Sequence, residues 1–207
     1  MEDVWLARAK RVLALAQSGL HFTTDEHDRE RYVELTELAL AMLADLGNVP
    51  LSRITELISP HAAGYATPSI DVRGALIRDG KVLLVREKSD GRWALPGGFA
   101  DIGHSPAENV EKEIWEEAGL LVEATRLYAL RHKARHAYPA DTRDFYKLFF
   151  LCTEQGTASP EPGSETADAR FFDPAALPEL SEGRVILADI EQAFESHASA
   201  DPTTVFD

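Results

Sequence analysis

The sequence predicts an α/β or α+β sandwich with a mixed sheet, preceded by a small helical piece. Three observations carry this reading. Residues 1–66 are dominated by helical periodicity. Short β-rich runs separated by turn residues follow from about Thr67. A capped helix with three glutamates lies between two of those runs. Mixed strands with helices on their faces form a layered architecture.

In chain order, Trp5, Leu6, Val12, Leu13, Leu15 and Ala16 have a helical period, and Gly19 marks the expected end of that helix. Thr23 and Glu26 read as a capping box opening a second helix. Its stripe, Tyr32, Leu35, Leu38, Ala39, Met42, Leu43 and Leu46, runs to a stop at Gly47-Asn48. A short third helix is expected over Ser52–Ile58. Helices this short bury little alone, so they need the rest of the chain or a second subunit. The expected domains are 1–66 and 67–207.

In the second part, Ile70–Arg78 and Lys81–Arg86 flank Asp79-Gly80, a strong hairpin signal. Ser105-Pro106-Ala107-Glu108 is a capping box with proline at the first helical position, and Gly119 suits the C-terminus. Val122–Leu130, Phe145–Thr153 and Ala169–Phe172 read as strands. A loop rich in Pro, Gly and Ser spans Thr157–Ser164, and a final helix is expected over Glu182–Ser196.

Composition bounds the function. The chain has 207 residues and 44 % apolar content, enough for one ordinary domain plus a smaller piece. A net charge of −14 argues against an extended basic surface for duplex nucleic acid. The single Cys152 excludes an internal disulfide and is expected buried in its strand. No apolar run is long enough to span a membrane. Glu2, Asp3, Arg8, Lys10 and Arg11 are unlike a signal peptide, so the cytoplasm is the expected location.

The chemistry concentrates in Gly98–Leu120. Glu113, Glu116 and Glu117 sit at i, i+3 and i+4, so three carboxylates share one helix face. Val110, Ile114 and Ala118 form a separate packing stripe. Like charges held together need an offset, and carboxylate oxygens suit Mg²⁺ or Mn²⁺. A solvated face is the ordinary reading of three glutamates on a helix. The preceding Leu95-Pro96-Gly97-Gly98 turn and fixed loop favour a site.

This stretch resembles the Nudix box: Gly, five residues, Glu, seven residues, then Arg-Glu-apolar-x-Glu-Glu-x-Gly-apolar. Gly98, Glu113, Ile114, Glu116, Glu117, Gly119 and Leu120 match in register. His104 stands where the family has its first Glu, and Lys112 where it has Arg, so the usual ion pair bracing loop to helix cannot form. The pattern around the box resembles the subfamily with an N-terminal helical domain that acts on nucleoside diphosphates linked to a group X. That resemblance implies the Nudix α/β/α fold and ADP-ribose or CDP-choline pyrophosphatase activity, with RNA exonuclease activity in some members. It also implies a homodimer through the N-terminal helices.

The resemblance implies a metal held by Glu113, Glu116 and Glu117 with a backbone carbonyl at Gly98. It implies catalysis by Glu116 and Glu117, with a general base from a later loop. Glu165 fits that base best, ahead of Glu161 and Asp168. Arg73, Arg86 and Lys88 are candidate phosphate contacts, or else structural ion partners. Lys147, within an apolar strand, would need a phosphate or carboxylate partner. Phe99 could stack on a base, whereas Trp93 reads as core. His104 is read as a loop residue, with metal or substrate contact as the sharper alternative. His132 and His136 with Arg131, Lys133 and Arg135 form a locally basic stretch that could receive X or an RNA phosphate. A metal-dependent pyrophosphatase ranks first, an RNA-processing enzyme second and a non-catalytic nucleotide sensor third.

Overall fold

The computed structural model describes residues 3–48, 50–52, 54, 66–201 and 203–207. The chain divides into two compact units, Met1–Ser69 with Ala140–Asp144, and Ile70–Pro139 with Phe145–Asp207.

The first unit contains α1 (Val4–Phe22) and α2 (Glu26–Gly47). Leu6, Ala9 and Leu13 of α1 bury against Ala39, Leu43 and Ala44 of α2. Gly19 does not end α1, which continues to Phe22. A Cβ there would lie 2.3 Å from the Tyr32 ring, so the glycine is a packing notch. The expected Thr23/Glu26 capping box is also corrected. Asp25 is the cap of α2 and accepts the Asp28 N–H at 2.9 Å, while Thr23 closes α1. Asn48, at φ 48°, terminates α2 as expected. Most of the expected Ser52–Ile58 helix lies outside the described residues.

The second unit is a sandwich. Its strands are β1 (Ser69–Arg78), β2 (Lys81–Glu87), β3 (Trp93–Ala94), β4 (Val122–His132), β5 (Phe145–Glu154), β6 (Thr166–Phe172) and β7 (Val205–Phe206). The order is β3-β2-β1-β5-β4-β7, with β6 paired to β2. β4 and β7 are parallel, whereas β1–β2, β2–β3, β2–β6 and β4–β5 are antiparallel, so the sheet is mixed. Asp79 and Gly80 both adopt positive φ between β1 and β2, as a two-residue hairpin with right-handed strand twist requires.

Alternation along the strands sends residues to two cores. Leu83 and Val85 face one side with Val110, Ile114 and Ala118 of α3 (Pro106–Ala118). Val82 and Leu84 face the other with Ile190 and Ala193 of α4 (Leu187–Ala198). The result is the predicted helix–sheet–helix layering. The last helix starts five residues later than expected. Residues 181–185 form a turn closed by Ser181, and the Asp189 carboxylate accepts the Ile186 N–H where the helix begins. Cys152 is buried in β5, as expected.

Candidate active site

The glutamate helix is fixed at both ends. The Ser105 hydroxyl accepts the Glu108 N–H at 3.2 Å, and the Glu108 carboxylate accepts the Ser105 N–H at 2.7 Å. Gly119 closes the helix in the left-handed conformation, φ 68°. With His104 and Lys112 in place of the family's usual pair, the loop needed another brace, and two are present. Lys112 Nζ reaches Asp101 Oδ2 at 2.9 Å. The buried Asn109 side chain accepts the Asp101 N–H at 2.8 Å and donates to the carbonyls of His104 and Ser105. His104 itself is exposed.

The Leu95–Gly98 turn is sewn to β1. Gly74 N–H donates to Pro96 O at 2.9 Å and Val72 N–H to Gly98 O at 2.8 Å. The Gly98 carbonyl, expected as a metal ligand, therefore has one acceptor site committed to the sheet. Gly97 has φ 141°, and a Cβ there would lie 2.0 Å from Val72 O. A Cβ on Gly98 would lie 2.8 Å from Glu113 Oε1. The two glycines let the backbone slide between β1 and the carboxylates.

Glu117 is buried and its Oε2 accepts the Gly97 N–H at 2.9 Å. Burial pushes its pKa up to about 8, with Glu87 and Glu113 adding to the rise and Arg73 and the Gly97 N–H opposing it. Glu113 is also raised, chiefly by burial, with Glu116 and Glu165 adding against Arg73 and Lys112. Glu116 pairs with Lys112 at 3.2 Å. Among the described residues, no three His, Cys, Asp or Glu side chains converge tightly enough to hold a metal as they stand.

Glu165 is held near these acids by a docked loop. Gly163 N–H and the Thr166 hydroxyl both donate to Glu117 O, at 3.2 and 2.8 Å. Lys88 Nζ ties Ser164 O at 2.5 Å. A Cβ on Gly163 would lie 1.7 Å from Glu116 O, so this contact needs glycine. Glu161 N–H bonds Ala118 O at the same helix end. Asp168 is instead paired with Arg170 at 2.6 Å.

Two expected substrate contacts have other partners. Arg73 forks onto Asp71, Nε to Oδ1 at 3.1 Å and Nη2 to Oδ2 at 2.9 Å, and donates through Nη1 to Leu95 O at 3.2 Å. Lys147 Nζ reaches the same Asp71 Oδ1 at 2.6 Å. Arg73 is 4 % and Lys147 2 % exposed, so neither extends into solvent to grip a phosphate. Burial alone would raise the Asp71 pKa, but Arg73 and Lys147 outweigh it and hold the carboxylate below its ordinary value. Arg86 lies partly buried on β2, with its guanidinium 6.0 Å from the Trp93 ring and its Nε lacking a hydrogen-bond partner. Phe99 is 52 % exposed and stacks on Phe145. Trp93 packs edge-on against Phe172, a core role as expected.

The basic stretch at 131–136 is not one exposed patch, which corrects the expectation of a positive cluster. Arg131 is buried on Asp189 at 3.0 Å, and Lys133 is buried over the Phe145 ring. His136 pairs with Asp207 at 2.7 Å. Alternation had no power to show this, because the stretch leaves its strand for a short 3₁₀ turn at Lys133–Arg135.

Three residues that build the candidate site were missed in the sequence. Asp71 carried a signal: at i and i+2 from Arg73 on a strand, the two share a face. Glu87 is buried at the end of β2, salt-bridged to Arg184 at 3.1 Å, and adds to the carboxylate field. It had no sequence signal beyond its proximity to Arg86. Asn109 looked like an ordinary helix residue.

A glutamate-bearing, doubly capped helix beneath a Gly-Gly turn, on a mixed-sheet sandwich, defines a class of hydrolase that opens phosphoanhydrides. The NUDIX domain family matches residues 68–193, and the chain belongs to it. A second family, described as a UDP-X-like, N-terminal oligomerisation domain, matches residues 3–58. YjhB of Bacillus subtilis (strain 168), provisionally named an ADP-ribose pyrophosphatase, is 44 % identical over 207 residues, spanning 100 % of this chain and 99 % of its own. A solved ADP-ribose pyrophosphatase from Streptococcus suis 89-1591 is 39 % identical with a TM-score of 0.62, over 68 % of this chain and 100 % of that one. A solved UDP-X diphosphatase is 34 % identical with a TM-score of 0.63, over 98 % of each chain. The chain is thus a Nudix hydrolase, an enzyme acting on pyrophosphate bonds.

Proposed function

We propose that this enzyme hydrolyses the pyrophosphate of a nucleoside diphosphate-X, of the ADP-ribose or CDP-choline type, to nucleoside monophosphate and X-phosphate. The observation that carries it is the cluster of Glu113, Glu116 and Glu117 behind the Gly97-Gly98 turn, with Glu165 brought beside it by the Gly163 contact.

Nudix hydrolases generally use divalent ions, and these acids supply the oxygen donors such an ion prefers once Glu116 leaves Lys112 and the three converge. Two of the acids, Glu113 and Glu117, have pKa values raised by burial and by neighbouring carboxylates. The turn they face is a cradle that a side chain at Gly98 would fill. Glu113, Glu116 and Glu117 would hold Mg²⁺ or Mn²⁺, with Glu116 exchanging its Lys112 partner for the ion. When bound, the ion neutralises anionic phosphate oxygens and lowers the pKa of a bound water. Glu165 accepts the proton of the attacking water as the new P–O bond forms and the bridging P–O bond breaks. The electron pair of the broken bond leaves on the departing phosphate. Arg86, near the end of β2, and Lys88, just past it, contact phosphate, and exposed Phe99 offers a face to the base.

The proposed assembly is a homodimer through the N-terminal helices of domain 1–66, with 67–207 as the hydrolase domain. Exposed Trp5, Leu15, Leu35, Leu38, Met42 and Leu46 support it, being too apolar for a surface facing water alone. The proposed location is the cytoplasm, supported by a single buried thiol. No helix among the described residues is long and apolar enough to cross a membrane.

The test is turnover of a panel of ADP-ribose, CDP-choline, UDP- and ADP-sugars, NADH and a short RNA, with Mg²⁺ or Mn²⁺ and with chelator. Metal-dependent cleavage of one small substrate to nucleoside monophosphate and X-phosphate is the expected result. Turnover of RNA alone, or tight binding without turnover, would reject it in favour of an RNA-processing enzyme or a sensor.

A further inference from the structure

The Leu95–Gly98 turn has charge on both sides of it. On one side lies Arg73, forked onto Asp71 and bonded to Leu95 O. On the other lie Glu113 and Glu117, the second accepting the Gly97 N–H. The wall between them is one glycine backbone thick. A Cβ on Gly97 would lie 3.0 Å from Arg73 Cδ, and one on Gly98 would lie 2.8 Å from Glu113 Oε1.

The charges behind the turn do not balance among themselves. Arg73 and Lys147 share the single carboxylate of Asp71, which leaves one buried positive charge in excess. Such an excess is costly unless a compensating charge lies nearby. The carboxylates on the other side of the turn have the opposite problem. The groups least able to disperse their charge to water therefore stand back to back.

We infer that Arg73 is a permanent internal counter-charge for the glutamate face, positioned there by Asp71 and Lys147, and that it shares those carboxylates with the catalytic ion. This rests on the reading of Glu113, Glu116 and Glu117 as the metal holders. The role differs from phosphate binding, because Arg73 has no exposed fork, and it differs from an ordinary salt bridge, because its direct partner is Asp71. Arg73 acts across the turn by its field. The same glycine touches both sides: a Cβ on Gly97 would lie 3.0 Å from Arg73 Cδ, while its N–H donates to Glu117 Oε2 at 2.9 Å.

The effect on the metal has an unusual sign. A cation fixed behind the ligands repels a second cation that approaches them from the open side. Removing Arg73 should destabilise the metal-free protein yet tighten metal binding. A residue that merely braced the turn would do the reverse to the metal, loosening it as the ligands lost their geometry.

The experiment is calorimetric titration of Mn²⁺ into the full-length protein, together with thermal melting in chelator. Variants are Arg73→Gln and Arg73→Lys. Arg73→Gln leaves Asp71 and Lys147 as a neutral buried pair and so should fold. Its Mn²⁺ affinity should rise by about fivefold, as expected for a charge some turn's width from a divalent ion in a partly wet site. Its melting temperature in chelator should fall. Arg73→Lys retains the charge without the fork, and its Mn²⁺ affinity should stay within about twofold of the parent. Weaker or unchanged Mn²⁺ binding in Arg73→Gln overturns the counter-charge role. If Arg73→Gln does not fold, Arg73→Lys decides alone, and an affinity loss greater than about threefold there overturns it. A parent protein that binds no Mn²⁺ rejects the metal-site reading itself, a failure distinct from the other two.

Discussion

The two buried polar clusters flanking the Leu95–Gly98 turn handle charge in opposite ways. On the β1 side, Asp71 receives three donors from Arg73 and Lys147. On the helix side, Glu117 keeps a single N–H and stands near other acids. The first cluster ties two cations to one central carboxylate and so fixes structure, with its excess positive charge facing the glutamates across the turn. The second keeps carboxylates underpaired at a cost in stability, which makes sense only if another partner arrives during function. Burial of charge alone does not distinguish the two; partner count does.

The contrast depends most heavily on Asp71. Asp71→Asn leaves two buried cations without their anion and should cost about 3–5 kcal/mol, read by urea denaturation. A loss under about 1 kcal/mol would mean that Asp71 does not anchor the two cations. At Glu117 the pattern should invert. Glu117→Gln should lower turnover by about 100-fold or more while leaving metal-free stability unchanged or higher, because a desolvated acid has gone. Full activity in that variant would remove Glu117 from the site.

The two clusters also predict opposite pH responses. Glu117 is raised from 4.5 to about 8, so the metal-free fold favours its protonated form. That contribution is complete below about 4.5 and is lost as pH rises through about 8. Asp71 is held below 3.8, so its contribution is present above 3.8 and is lost only as pH falls through its lower value. Melting in chelator should therefore weaken from pH 5 to 9, and Mn²⁺ should remove that trend. A flat metal-free profile across that window would contradict the Glu117 assignment. The smallest effect is expected at the entry to the glutamate helix. Ser105→Ala removes half the capping box and should cost about 1 kcal/mol, with little change in turnover per folded molecule.

The sequence was most informative where local rules act. Ser105, Pro106 and Gly119 delimit α3, and Asp79-Gly80 sets the hairpin, because caps and tight turns depend on neighbours in the chain. Gly19 and Thr23 misled for the same reason. Glycine is a stop by local rules, but here it clears space for Tyr32 on another helix. The glutamate face was legible as a spacing, and Glu165 as a position in a loop. What could not be read was pairing across distance. Lys147 advertised the need for a carboxylate, yet Asp71 is 76 residues away in sequence. Arg131 and Lys133 looked basic and open, but Asp189, far along the chain, and Phe145, on the following strand, cover them.

Cys152 has a practical consequence. It is the chain's single cysteine, and burial pushes its thiol up to about 12, so it offers almost no thiolate to an electrophile at neutral pH. Folded protein treated with a maleimide should stay unmodified. A cysteine introduced at an exposed site would then be the sole point of attachment for a dye or spin label. The native background is already silent, and distances between labelled copies could be measured without first removing a residue from the core.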